Sequence, residues 1–146
     1  MELRKRTIMM AVNRTRRAWN NHTKAIAQEM GISDSYRAVI FYLSRQPGSN
    51  QKNIAEFCNV TTAAVNQTLK EMITDGYVKK ETDTSDRRFT KLYLTAKGEQ
   101  TGDMLRERLR VSDEAITQAI TSEKEEEMIL LLDRIHDLIR RELSSC

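Results

Sequence analysis

Residues 50–95 read NQKNIAEFCNVTTAAVNQTLKEMITDGYVKKETDTSDRRFTKLYLT, and a change of hydrophobic period inside this stretch decides the fold. As far as Ile73 the apolar residues recur at helical spacing, and from Tyr77 they alternate. Asn50 supplies a side-chain acceptor ahead of a short helix whose inward set is Ile54, Ala55, Phe57 and Cys58. Asn59 and Val60 then make a tight turn. Thr61 caps a further helix, which turns Val65, Leu69, Met72 and Ile73 inward until Gly76 stops it. Strands near 77–82 and 89–94 flank the polar loop Asp83-Thr84-Ser85-Asp86-Arg87-Arg88, giving a two-stranded hairpin with a basic tip. A helix, a tight turn, a capped second helix and a basic hairpin together make a winged helix-turn-helix.

Such a unit reads DNA if the second helix offers short polar side chains to a major groove about 12 Å wide, with cations beside it for the backbone or minor groove. Turning Val65, Leu69 and Met72 to the core leaves Thr62, Ala63, Asn66, Gln67 and Lys70 on the opposite face. Asn and Gln hydrogen-bond adenine N6 and N7 together, and Thr or Ala methyls pack on the thymine methyl. The face therefore predicts a major-groove reader biased towards A·T steps.

Outward from this unit the chain is helical. Ile8, Val12, Trp19, Ile26 and Met30 predict one helix from about residue 3 to 30, ended by Gly31 in a left-handed conformation. Ser33 caps the next helix, which carries Tyr36, Val39, Ile40 and Leu43 and closes at Pro47-Gly48. After Thr95 the helical period returns through Leu105, Leu109, Ser112, Ile116 and Ile120. A last helix is expected to open at Ser122, with Glu125 completing a capping box. Met128, Leu131, Leu132, Ile135, Leu138, Ile139 and Leu143 form its broad apolar stripe.

Composition agrees with this mainly α fold carrying a small β-hairpin wing. At 146 residues and 39% apolar content the chain is long enough for one domain, 1–146, and short for two. One proline, five glycines and 5% aromatic residues disfavour a sandwich or barrel with turns every few residues. The longest apolar runs are five residues, 8–12 and 128–132, against about 20 for a membrane span, so the expectation is a soluble, cytoplasmic protein with no membrane partner. The net charge of +3 conceals opposed regions: residues 1–20 carry +5 and residues 121–146 carry −3. DNA is therefore expected at the wing and its preceding helix, away from the last one.

The sequence resembles the MarR family of bacterial transcription regulators over nearly its whole length. Asp86-Arg87-Arg88 followed by Leu94-Thr95-Ala96-Lys97-Gly98 is similar to the family's wing motif D-R-R and the L-T-x-x-G that begins the next helix. Gln51-Lys52-Asn53-Ile54-Ala55-Glu56, Val65 and Gly76-Tyr77-Val78 match its T-Q-x-x-L-A, V and G-L-V frame. The resemblance implies a homodimer in which residues 1–31 and 96–146 interlock as a helical dimerisation lobe. Residues 32–95 then form the DNA-binding region on a pseudo-palindromic double-stranded operator. It implies that Arg87 enters the minor groove, that Asp86 fixes the wing, that Arg88 lies near phosphate, and that Thr61 and Thr62 contact phosphate or bases. Gln67 stands where many members have an arginine that reads guanine, and Asn59 replaces the usual turn glycine, a left-handed position that asparagine tolerates. The function implied is repression released by a small-molecule effector.

Family ligand pockets point to Arg16, Trp19, Asn20 and His22 on the first helix, with Tyr36 and Arg37 facing them from the second. The alternative, Trp19 as core and the others as solvent-facing, carries comparable weight. Thiol or metal sensing is the weaker alternative: Cys58 and Cys146 fit no redox or zinc spacing, and His22 and His136 have no partner set at metal spacing, so neither metal nor cofactor is expected. No phosphate loop, nucleophile elbow or catalytic constellation supports an enzyme. A DNA-independent protein-interaction module on the same scaffold is the remaining rival.

Overall fold

A computed structural model of the protein describes residues 6–82, 84–86 and 90–143. Its order is α1 (Ile8–Glu29), α2 (Asp34–Arg45), α3 (Gln51–Cys58), α4 (Thr62–Thr74), β1 (Val78–Thr82), β2 (Thr90–Leu94), α5 (Ala96–Ile120), α6 (Ser122–Leu138) and a π-helical turn at Ile139–Leu143. It divides into two compact units, Met1–Glu107 and Arg108–Cys146, the boundary falling within α5.

In the first unit each helix begins where a side-chain acceptor meets a free amide. Thr7, Ser33, Asn50 and Thr61 accept from the amides of Met10, Tyr36, Asn53 and Ala64 at 3.0–3.2 Å. Such caps are each worth about 1 kcal/mol. Thr7 also corrects the expected start of α1 near residue 3, since its extended backbone places the first helical residue at Ile8. Three ends close by left-handed turns: Gly31, Asn59 and Gly76 have φ of +72°, +53° and +80°. In each, the following amide returns to a carbonyl five residues back, Ile32 to Ala27, Val60 to Ala55 and Tyr77 to Met72. That last bond holds Tyr77 to the end of α4, so β1 starts at Val78 instead of Tyr77.

The wing strands are antiparallel, from Val78 opposite Leu94 to Thr82 opposite Thr90. Ser49 bridges to Leu92, attaching the segment before α3 to the same sheet. Val39, Ile40, Leu43, Ile54, Val65, Leu69, Met72, Val78, Leu92 and Leu105 are buried and form the core that sets α4 beside the wing. Phe57 is a correction: it is 52% exposed. An eight-residue helix presents only one narrow stripe, here taken by Ile54 and Ala55, and the Phe57 ring instead tilts against Tyr42 at 4.9 Å.

In the second unit α6 has no buried residue, and Met128, Ile129, Leu130, Leu131, Leu132 and Leu138 are all exposed. The capping box expected at Ser122 is absent. Thr121, at φ +61°, is the cap and makes no side-chain cap bond, so Ser122 is already helical. Glu125 instead accepts from the Thr117 hydroxyl at 2.9 Å.

Candidate nucleic-acid interface

α4 has 13 residues and is about 20 Å long. Its buried stripe of Val65, Leu69 and Met72 leaves Thr62, Ala63, Gln67 and Lys70 exposed, as the spacing predicts, and the capping Thr61 exposed too, whereas Asn66, expected on the same face, is half-buried. The Thr61 hydroxyl is committed as acceptor to the Ala64 amide, which leaves its own proton free to donate to an anion. One pair was missed by sequence reasoning: Gln67 Nε2 donates to Glu71 Oε1 at 2.8 Å. Their four-residue spacing was the available signal.

At the wing, Asp86 is described and half-buried, whereas Asp83, Arg87, Arg88 and Phe89 lie outside the described residues. The wing's root is fastened to the end of α4. Thr95 Oγ1 donates to the Gly76 carbonyl and accepts from the Gly98 amide at 3.2 Å. Lys97 Nζ donates to the Asp75 carbonyl at 2.8 Å and lies 4.2 Å from the Tyr77 ring centroid. Leu94-Thr95-Ala96-Lys97-Gly98 is thus a structural clasp between the helix and the hairpin. The sequence located this segment without disclosing why it takes this form.

The effector candidates fall into separate contacts. Trp19, half-buried, and His22, exposed, have ring centroids 5.8 Å apart on α1, where Arg16 and Asn20 are also exposed. Tyr36 is buried and donates to Asp75 Oδ2 at 2.7 Å, edge-on to Tyr77. Burial first, then the bond to Asp75, raise its pKa, so the phenol remains a neutral donor. Arg37 Nε is paired with Asp34 Oδ1 at 2.7 Å. Burial pushes the Cys58 thiol up despite the opposing field of Arg37, which disfavours the thiolate that redox sensing needs. Cys58 lines a small cavity of about 230 Å³ with Ala38, Val60, Ala64 and Val65. Among the described residues no group of three or more His, Cys, Asp or Glu is placed to hold a metal, and no helix is long and apolar enough to cross a membrane.

The fold is that of a winged helix-turn-helix protein. The sequence pattern of the MarR family matches residues 25–88. The uncharacterized HTH-type transcriptional regulator YybA of Bacillus subtilis is 30% identical over 112 residues, 75% of each chain. The HTH-type transcriptional regulator BilQ of Clostridium symbiosum is 22% identical over 112 residues, 77% of this chain and 78% of its own. The fold is that of a MarR protein from Peptoclostridium difficile, TM-score 0.80 at 21% identity over 97% of this chain and 93% of that one. A Mycobacterium tuberculosis MarR family protein, solved in complex with salicylic acid, superposes with TM-score 0.72 at 20% identity over 90% and 98% of the two chains. This chain belongs to the MarR family.

Proposed function

We propose that the chain acts in the cytoplasm as a homodimeric repressor that binds a pseudo-palindromic operator in double-stranded DNA and is released by a small-molecule effector. The observation that carries this reading is the outward face of α4, where Thr62, Ala63, Gln67 and Lys70 stand exposed beside a wing fastened to the helix's own end. Residues 32–95 are assigned as the DNA-binding region, and residues 1–31 and 96–146 as dimerisation helices within one functional domain, 1–146. The exposed apolar side chains Ile8 and Met10 on α1 and Met128 to Leu132 on α6 support the dimer, since patches of this kind mark association surfaces.

Two copies of α4 enter successive major grooves only when their centres lie one helical turn apart, about 34–36 Å. An effector that alters the separation lowers affinity, and a coupling of about 1–3 kcal/mol would be ordinary for such a switch. We assign effector contact to Arg16, Trp19, Asn20, His22, Tyr36 and Arg37; the salicylic acid held by the Mycobacterium tuberculosis relative supports an aromatic ligand.

Selection from random-sequence double-stranded DNA tests the reading. The parent is expected to enrich an inverted repeat, and Gln67→Ala to relax one base position in each half-site. An identical consensus from both proteins would remove Gln67 from direct readout. Titration of the selected operator with Arg87→Ala is expected to show a loss on the order of 1–3 kcal/mol. An unchanged curve would take Arg87 out of the contact set.

A further inference from the structure

Gln67 lies near the middle of the exposed face of α4, and one turn later Glu71 accepts its Nε2 proton at 2.8 Å. Amide oxygen and nitrogen differ little in electron count, so the direction of a glutamine is assigned from its partners. Here the partner decides it. A carboxylate oxygen accepts and does not donate, so the nitrogen of Gln67 must face Glu71. One of its two N–H protons is thereby committed, leaving one N–H and the Oε1 acceptor for the groove.

That remaining pair has a definite complement. Adenine presents the N7 acceptor beside the N6 donor, which one acceptor and one donor satisfy together; guanine presents two acceptors, N7 and O6, and requires two donors. Without Glu71 the amide can turn over, and both of its protons become available to guanine. We propose that Glu71 is a positioning residue that holds Gln67 in its one-donor, one-acceptor presentation and so sets adenine over guanine at the base pair Gln67 reads. The inference rests on the DNA-reading function of α4 argued above and names the source of its specificity.

The test uses the full chain and random-sequence double-stranded DNA, comparing the parent with Glu71→Ala, Glu71→Gln, Gln67→Ala and the Gln67→Ala/Glu71→Ala pair. In Glu71→Ala the adenine-over-guanine ratio at one position per half-site is expected to fall about 5-fold or more, the scale of a single mismatched pair, with other positions unchanged. Its thermal midpoint should barely move, because a surface pair four residues apart contributes little to stability. Glu71→Gln offers a donor as well as an acceptor, so it no longer fixes the direction of Gln67 and should lower the ratio as Glu71→Ala does. In the Gln67→Ala background, removing Glu71 should change nothing more at that position. An unchanged ratio in Glu71→Ala overturns the inference. So does a parental ratio in Glu71→Gln, which would show that acceptor-only character at 71 does not set the direction of Gln67, or a further change without Gln67, which would assign the effect to charge or to a direct Glu71 contact. A parent that enriches no sequence overturns the DNA-reading function itself, and is distinguishable from all of these.

Discussion

Gly98→Ala is expected to destabilise the chain by about 2–3 kcal/mol, the upper part of the range for forcing an extra carbon into filled space. A Cβ at residue 98 would stand 2.2 Å from the Tyr77 carbonyl oxygen and 3.2 Å from Leu94 Cβ. The obstacle is backbone, and that backbone is tied on every side. Tyr77 O accepts from the Thr95 amide at 3.0 Å, Tyr77 N donates to Met72 O at 2.8 Å, and Thr95 Oγ1 links the Gly76 carbonyl to the Gly98 amide. Relief would have to move the root of the wing away from α4 or lift α5 from both. Gly102→Ala provides the contrast. Its Cβ would meet Ser44 Oγ at 2.8 Å, a hydroxyl that can rotate if it gives up its bond to the Ile40 carbonyl. The intrinsic helix preference of alanine over glycine, about 1 kcal/mol, offsets that loss, so Gly102→Ala should be near neutral. Denaturant unfolding at matched protein concentration measures both, with the fall in midpoint much larger for Gly98. Equal midpoints for the two variants would show that the Tyr77 contact does not fix the glycine.

The positions legible in the sequence were those whose cause is local. Ser33, Asn50 and Thr61 cap the amide three residues on, and Asn59 takes the left-handed turn, because each depends on a few neighbouring atoms. Periodicity identified the buried stripe of α4 and therefore its outward face, since 3.6-residue spacing fixes both at once. The failures came where tertiary contacts decide. Phe57 has the hydrophobicity of a core residue, but its neighbour is the half-buried face of Phe41 and Tyr42, and nothing within α3 encodes that. The Ser122 capping box had the right letters, yet Glu125 is drawn to Thr117 on the preceding helix, so the pattern of residues found a different partner. Gly98 was legible as a motif letter, while its reason, the carbonyl of Tyr77 twenty-one residues earlier in the chain, required the folded chain.

If the chain forms the homodimer proposed above, Leu131→Glu is expected to leave it monomeric at micromolar concentration. α6 has 17 residues and buries none of them within its own chain, although its apolar residues run through five consecutive positions, Met128 to Leu132. Such a run cannot be confined to one narrow seam. It demands cover over a broad face, and on the proposed symmetric arrangement a second copy supplies it with the same face. Symmetry then multiplies the effect of any substitution, because each residue occurs twice in the contact. Replacing a leucine that the second copy would cover by a carboxylate loses apolar contact and forces a charge out of water, on the scale of about 2 kcal/mol for a central interface residue. Counted twice, that is about 4 kcal/mol, roughly a thousandfold in dissociation constant. Sedimentation equilibrium across a concentration series reads this directly, and Leu131→Met, which keeps volume and apolarity, should remain dimeric. Operator binding should weaken in parallel, since a monomer reaches only one half-site and loses the second contact that the one-turn spacing provides. A Leu131→Glu chain that stays dimeric with parental affinity would place the subunit contact elsewhere and leave the α6 stripe as a surface for a different partner.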